Sequence, residues 1–97
     1  MKKRKNEQNL GEAIRLMISE LGLEEKILTV QAEEAFQEMM GKYIMGYVEN
    51  FYVRNKVLFI HINSPELKNE LSFGKSKIIE HINEDIGKQF ITDVRFL

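Results

Sequence analysis

Apolar residues recur along the chain with two different periods, and the change from one to the other divides the fold. Leu10, Ala13, Ile14, Met17, Ile18 and Leu21 fall at intervals of three and four, one face of an amphipathic helix with Glu12, Arg15 and Glu20 outside it. Asn9 stands where an N-cap would, and Gly22 where a left-handed C′ glycine would. A second helix is predicted from Leu23 to about Ile44, with Leu28, Ala32, Ala35, Phe36, Met39 and Tyr43 on one face. Gly41 and Gly46 leave its end open. From Tyr47 the period falls to two. Residues Tyr47–Val53 and Val57–Ile62 read as strands, the second with Leu58, Ile60 and Ile62 on one side and Val57, Phe59 and His61 on the other. Arg54-Asn55-Lys56 between them predicts a tight hairpin with Asn55 left-handed.

Helical signals return at Ser64-Pro65-Glu66. The serine caps, the proline needs no N–H at the first helical position, and the glutamate complements the helix dipole. Leu67 and Leu71 are out of phase with Ile78, Ile79, Ile82 and Ile86, so a break is predicted at Ser72-Phe73-Gly74-Lys75, with Gly87 ending the second piece. Alternation over Phe90–Leu97 predicts a last strand with Thr92, Val94 and Phe96 on one side. The order α-α-β-β-α(α)-β is that of a KH-like α+β domain. It predicts a three-stranded sheet with helices packed on one face and the last strand parallel to a hairpin strand. Phe36, Leu58, Ile60, Leu71, Ile82 and Val94 should be buried together, since each lies on the apolar phase of its element.

Length allows one domain: 97 residues, read as a mobile basic arm over 1–9 and a folded part over 10–97. Charge is segregated along the chain. Lys2, Lys3, Arg4 and Lys5 against Glu7 give residues 1–9 a net +3. Residues 10–40 carry two cations against seven glutamates, a net −5, and the remainder is close to neutral at +1. A nucleic acid would therefore be met by the arm or the C-terminal part, and repelled by the acidic helices. The absence of cysteine excludes disulfides, thiolate metal sites and cysteine nucleophiles. No apolar run approaches the ~20 residues of a membrane span, and the basic start lacks the apolar stretch of a signal peptide, so a cytoplasmic location and no membrane partner are expected.

Candidate chemistry is sparse. His61 and His81 lie on different elements with no third ligand at a metal spacing, the serines lack a nucleophile-elbow pattern, and the carboxylate pairs sit on solvent-facing helix positions. The expectation is a protein with no enzymatic activity, cofactor, metal or small-molecule substrate. Met17, Met39, Met40 and Met45 at helical spacing read as core filling before they read as an adaptable groove. The candidate nucleic-acid contacts are Lys2, Lys3, Arg4 and Lys5, which can neutralise phosphates, together with Lys75 and Lys77 beside the interhelical turn. In KH domains that turn clamps a nucleic-acid backbone, but the single Gly74 does not make the GxxG clamp. Phe73 in the same turn is a candidate partner contact.

Several stretches together resemble one family: Ala35–Ile44, in which Gly41 follows Phe36 by five positions; Val57–Ser64; Glu70–Phe73; Ile78–Asn83; and Val94–Phe96. The ordered set resembles the DciA-like family, bacterial proteins formerly catalogued as a domain of unknown function. The resemblance runs from about Leu10 to Leu97. It implies a KH-like domain acting in DNA replication, with a replicative DNA helicase as partner, a part in helicase loading, and salt-sensitive DNA binding. Two other readings stay open: a protein–protein adaptor with no physiological nucleic-acid contact, and a KH-like RNA binder.

Overall fold

A computed structural model describes the backbone of residues 2–97 and the side chains of residues 9–97. The elements run α1 (Lys2–Glu20), α2 (Glu24–Met40), α3 (Lys42–Met45), β1 (Val48–Arg54), β2 (Val57–Ile62), α4 (Pro65–Ser72), α5 (Lys75–Ile86) and β3 (Asp93–Phe96). The fold is mixed α+β with the sheet order β1-β2-β3. β1 and β2 pair antiparallel, and β3 runs parallel to β2 after the crossover made by α4 and α5.

Local chemistry accounts for most boundaries. The hairpin turns on Asn55 and Lys56, both at positive φ (50° and 64°), the pattern of a two-residue turn whose twist suits the strands. The sequence pointed to Asn55 alone; Lys56 follows because such a turn needs both residues left-handed. The Ser64 hydroxyl accepts the Leu67 N–H at 3.3 Å, and Pro65 opens α4 as expected. Gly41 at φ 85° breaks the predicted Leu23–Ile44 helix into α2 and α3. Asn9 lies inside α1 and caps nothing, since the helix is continuous from Lys2.

One core lies between the helices and one face of the sheet. Ala32, Ala35 and Phe36 of α2 and Ile78 and Ile82 of α5 meet Val53, Leu58, Ile60, Ile62 and Val94, with Leu71, Phe90 and Ile91 completing the cluster. All six residues expected there are buried. The two alanines let α2 and α5 approach closely, while Phe36 packs obliquely on Phe51 of β1, their centroids 5.9 Å apart. β3 is shorter than the alternation implied. Phe90 and Ile91 are buried in the segment before it, held by Asn83 of α5: Oδ1 accepts both their N–H groups at 3.0 Å, and Nδ2 donates to the Ile91 carbonyl at 2.8 Å.

α1 departs furthest from expectation. Nineteen helical residues span roughly 28 Å at 1.5 Å each, and the molecule is 58 Å long but only 23 × 22 Å across. Of the six residues that periodicity places on one face, Leu10, Ala13, Ile14, Met17 and Leu21 are exposed and Ile18 is half-buried. Met39 is also exposed, so of the four methionines read as core filling only Met40 and Met45 pack against the core.

Candidate functional site

Three surfaces of the described residues carry groups able to bind a partner. The first is the corner between α4 and α5. Phe73 N–H donates to the Glu70 carbonyl and Gly74 N–H to that of Leu71, closing α4 in a tight turn. The Ser72 hydroxyl donates to the Asn69 carbonyl at 2.6 Å. Phe73 is left 83% exposed, an aromatic side chain that contributes little to the core and is free to enter a partner's pocket. Gly74 places α5 without any side-chain cap. Lys75 is half-buried and Lys77 exposed. Residues two apart on a helix do not face each other, so Lys75 and Lys77 lie on different faces of α5. Phosphates contacted by the two would lie on different parts of a strand.

The second surface is the stripe on α1, with Leu10 62% and Leu21 64% exposed at its ends. Spacings of four, three and four from Leu10 through Ile14 and Met17 to Leu21 are those by which a helix meets another helix. The sequence carries this signal clearly, but a period identifies which positions share a face and not whether anything in the chain covers it. Lys2, Lys3, Arg4 and Lys5, expected as phosphate contacts, have side chains outside the described residues.

The third surface surrounds Tyr43. The Tyr43 and Tyr47 hydroxyls are 3.4 Å apart and the rings meet edge to face, 5.4 Å between centroids. That hydrogen bond, with the charge interaction between the phenols, raises the Tyr43 pKa above its ordinary value. Tyr43 was read as part of an apolar helix face. The break at Gly41 turns it outward instead.

Among the described residues no group of three or more His, Asp or Glu side chains is placed to hold a metal ion. His61 lies on the sheet and His81 on α5, where its Nε2 is buried without a hydrogen-bond partner. A depression of about 550 Å³ is lined in part by Glu24, Glu25, Lys56, Lys88 and Phe90. Lys88 and Glu24 approach to 3.9 Å across it, both well exposed. Among the described residues no helix is long and apolar enough to cross a membrane.

No curated protein and no solved structure gives a significant match to the chain. A family model does: the one described as "Dna[CI] antecedent, DciA" matches residues 9–96. The matched region takes in the α4–α5 corner, the exposed stripe of α1 and the whole sheet. With nearly the full length covered, this chain belongs to the DciA family.

Proposed function

We propose that the protein is a helicase-loader-like accessory factor of DNA replication, acting in the cytoplasm by binding a replicative DNA helicase and DNA, without catalysis of its own. The family match over residues 9–96 carries this reading. The exposed stripe of α1 and Phe73 support the protein-binding half, because both present apolar surface that the chain itself leaves uncovered. The basic residues Lys2, Lys3, Arg4 and Lys5, with Lys75 and Lys77, supply the charge for the DNA half.

The test is direct binding between the purified protein and the replicative helicase of the same organism, after nuclease treatment. The two should co-elute. Ile14→Glu and Phe73→Ala should each weaken the complex while leaving the melting temperature nearly unchanged, since neither side chain is buried. Absence of any complex would overturn the reading. Replacing Lys2, Lys3, Arg4 and Lys5 by glutamine, which keeps α1 whole, should leave helicase binding in place and lower the slope of log affinity for DNA against log salt by about 3, because four phosphate contacts at roughly 0.7–0.9 each are removed. An unchanged slope would move the DNA contacts onto the folded part.

The adaptor reading is favoured by one observation: the acidic segment 10–40, with its net charge of −5, includes the whole apolar stripe of α1. A helicase complex without any DNA affinity at low salt would establish it.

A further inference from the structure

β2 has the sequence of a strand covered on both faces, yet the fold covers one. Leu58, Ile60 and Ile62 enter the core. The alternate residues Val57, Phe59 and His61 are on the opposite face, and none of them packs against the core. A sheet face left to water ordinarily carries polar side chains. Here the register places Tyr52 of β1 directly opposite Phe59, and Phe59 opposite Arg95 of β3. The Tyr52 and Phe59 rings are stacked 15° from parallel, 5.1 Å between centroids, an offset overlap that leaves part of each ring uncovered. His61 tilts on Tyr52 at 5.9 Å, and the Arg54 guanidinium lies 5.6 Å from the Tyr52 centroid.

Cations border this aromatic group. Arg54 is at the end of β1, Lys56 in the hairpin turn and Arg95 on the edge strand β3, all three exposed. Asp93 is the carboxylate at the strand positions of this face, and it is 3.8 Å from Arg95. Glu49 lies in the bulge at the other end of β1. The face thus combines π-surface with a cationic margin, although the chain as a whole is slightly acidic. Stacking surfaces flanked by positive charge suit a strand whose bases are unpaired and whose phosphates run alongside. They do not suit a duplex, whose base faces are hidden.

We infer that the open face of the sheet, centred on Tyr52, Phe59 and His61 and bordered by Arg54, Lys56 and Arg95, is a stacking platform for the unpaired bases of single-stranded DNA. The choice of DNA rests on the reading of the protein as a replication factor; the platform rests on the geometry. It is distinct from the basic residues Lys2, Lys3, Arg4 and Lys5 at the start of α1.

The experiment is anisotropy titration of a labelled oligothymidylate of about 16 nucleotides, the upper end of site sizes for a small single-strand-binding fold. Duplex DNA and the matching oligouridylate are titrated in parallel. Tyr52→Leu and Phe59→Leu keep apolar contact but remove a ring, and each should weaken oligothymidylate binding by roughly 5- to 150-fold without altering the salt slope. Arg95→Gln, which leaves the rings in place, should instead lower the slope by about 0.7. Folding of each variant is checked by its melting curve, and Arg95→Gln remains decisive should an aromatic variant melt early. Full affinity in folded Tyr52→Leu and Phe59→Leu, or equal weakening of duplex binding, would overturn the platform. Oligouridylate bound tenfold more tightly than oligothymidylate would overturn the choice of DNA. No binding of oligothymidylate at low salt would remove the platform while leaving the helicase complex, measured separately with the same variants, as the test of the proposed function.

Discussion

Phe36→Ala should be the most destabilising single truncation in the chain, lowering stability by about 3–5 kcal/mol. Phe36 has no exposed surface, and it is the aromatic residue that joins α2 to both the sheet and α5. Its ring rests on Phe51, and the small neighbours Ala32 and Ala35 have no side chain able to move into the space it would vacate. Truncation therefore loses the transfer energy of the ring and leaves a cavity as well. Native stability for a domain of this kind is about 5–15 kcal/mol, so the loss is a large share. At several degrees per kcal/mol for a chain of this size, the melting temperature should fall by more than about 10 °C. A fall of only a degree or two would mean that α2 is seated in another phase.

The second large effect is expected at Asn83, where the loss is of hydrogen bonds rather than packing. Its amide satisfies three main-chain groups of the segment that leads into β3: the N–H groups of Phe90 and Ile91 and the Ile91 carbonyl. Phe90 and Ile91 are themselves buried, so water does not readily replace the amide. Asn83→Ala leaves the Ile91 N–H and carbonyl without that partner and the Phe90 N–H with the Lys88 carbonyl alone, and should cost about 2–3 kcal/mol, at roughly 1 kcal/mol for each bond lost. Asn83→Asp keeps the acceptor and loses the donor, so its loss should be smaller. Amide exchange at Phe90 and Ile91 is the specific readout. Protection there should fall in Asn83→Ala by more than at the β1–β2 pairs, and unchanged protection would show that the segment is held by its apolar side chains alone.

These two residues also mark what periodicity can and cannot reveal. Phe36 was legible because it lies on the apolar phase of a long helix, as were Leu58, Ile60, Ile82 and Val94 on theirs. The hairpin, the Ser64 cap and the break at 72–75 were legible for a related reason: each is enforced by a residue type with a narrow conformational use. Asn83 was not, because an amide that reaches residues seven and eight positions away leaves no repeating trace. The same limit applies to the candidate surfaces. Phe73 and Lys75 share a corner because the turn predicted there forms. The stripe of α1 was visible as a pattern, but that it stays largely exposed among the described residues was not. The outward side of β2 was written plainly as Val57, Phe59 and His61. What makes it a candidate surface is the pairing of Phe59 with Tyr52 and Arg95, and that depends on strand order.

The proposed function and the proposed stacking platform together make one claim, that the folded domain brings a replicative helicase and single-stranded DNA together. The most direct measurement follows the purified helicase of the same organism onto single-stranded DNA as this protein is added. The rate of loading should rise with its concentration up to saturation. Ile14→Glu should remove most of the increase, and Phe59→Leu should reduce it. A loading rate that stays the same at every concentration, with the protein folded and the helicase active, would contradict the account.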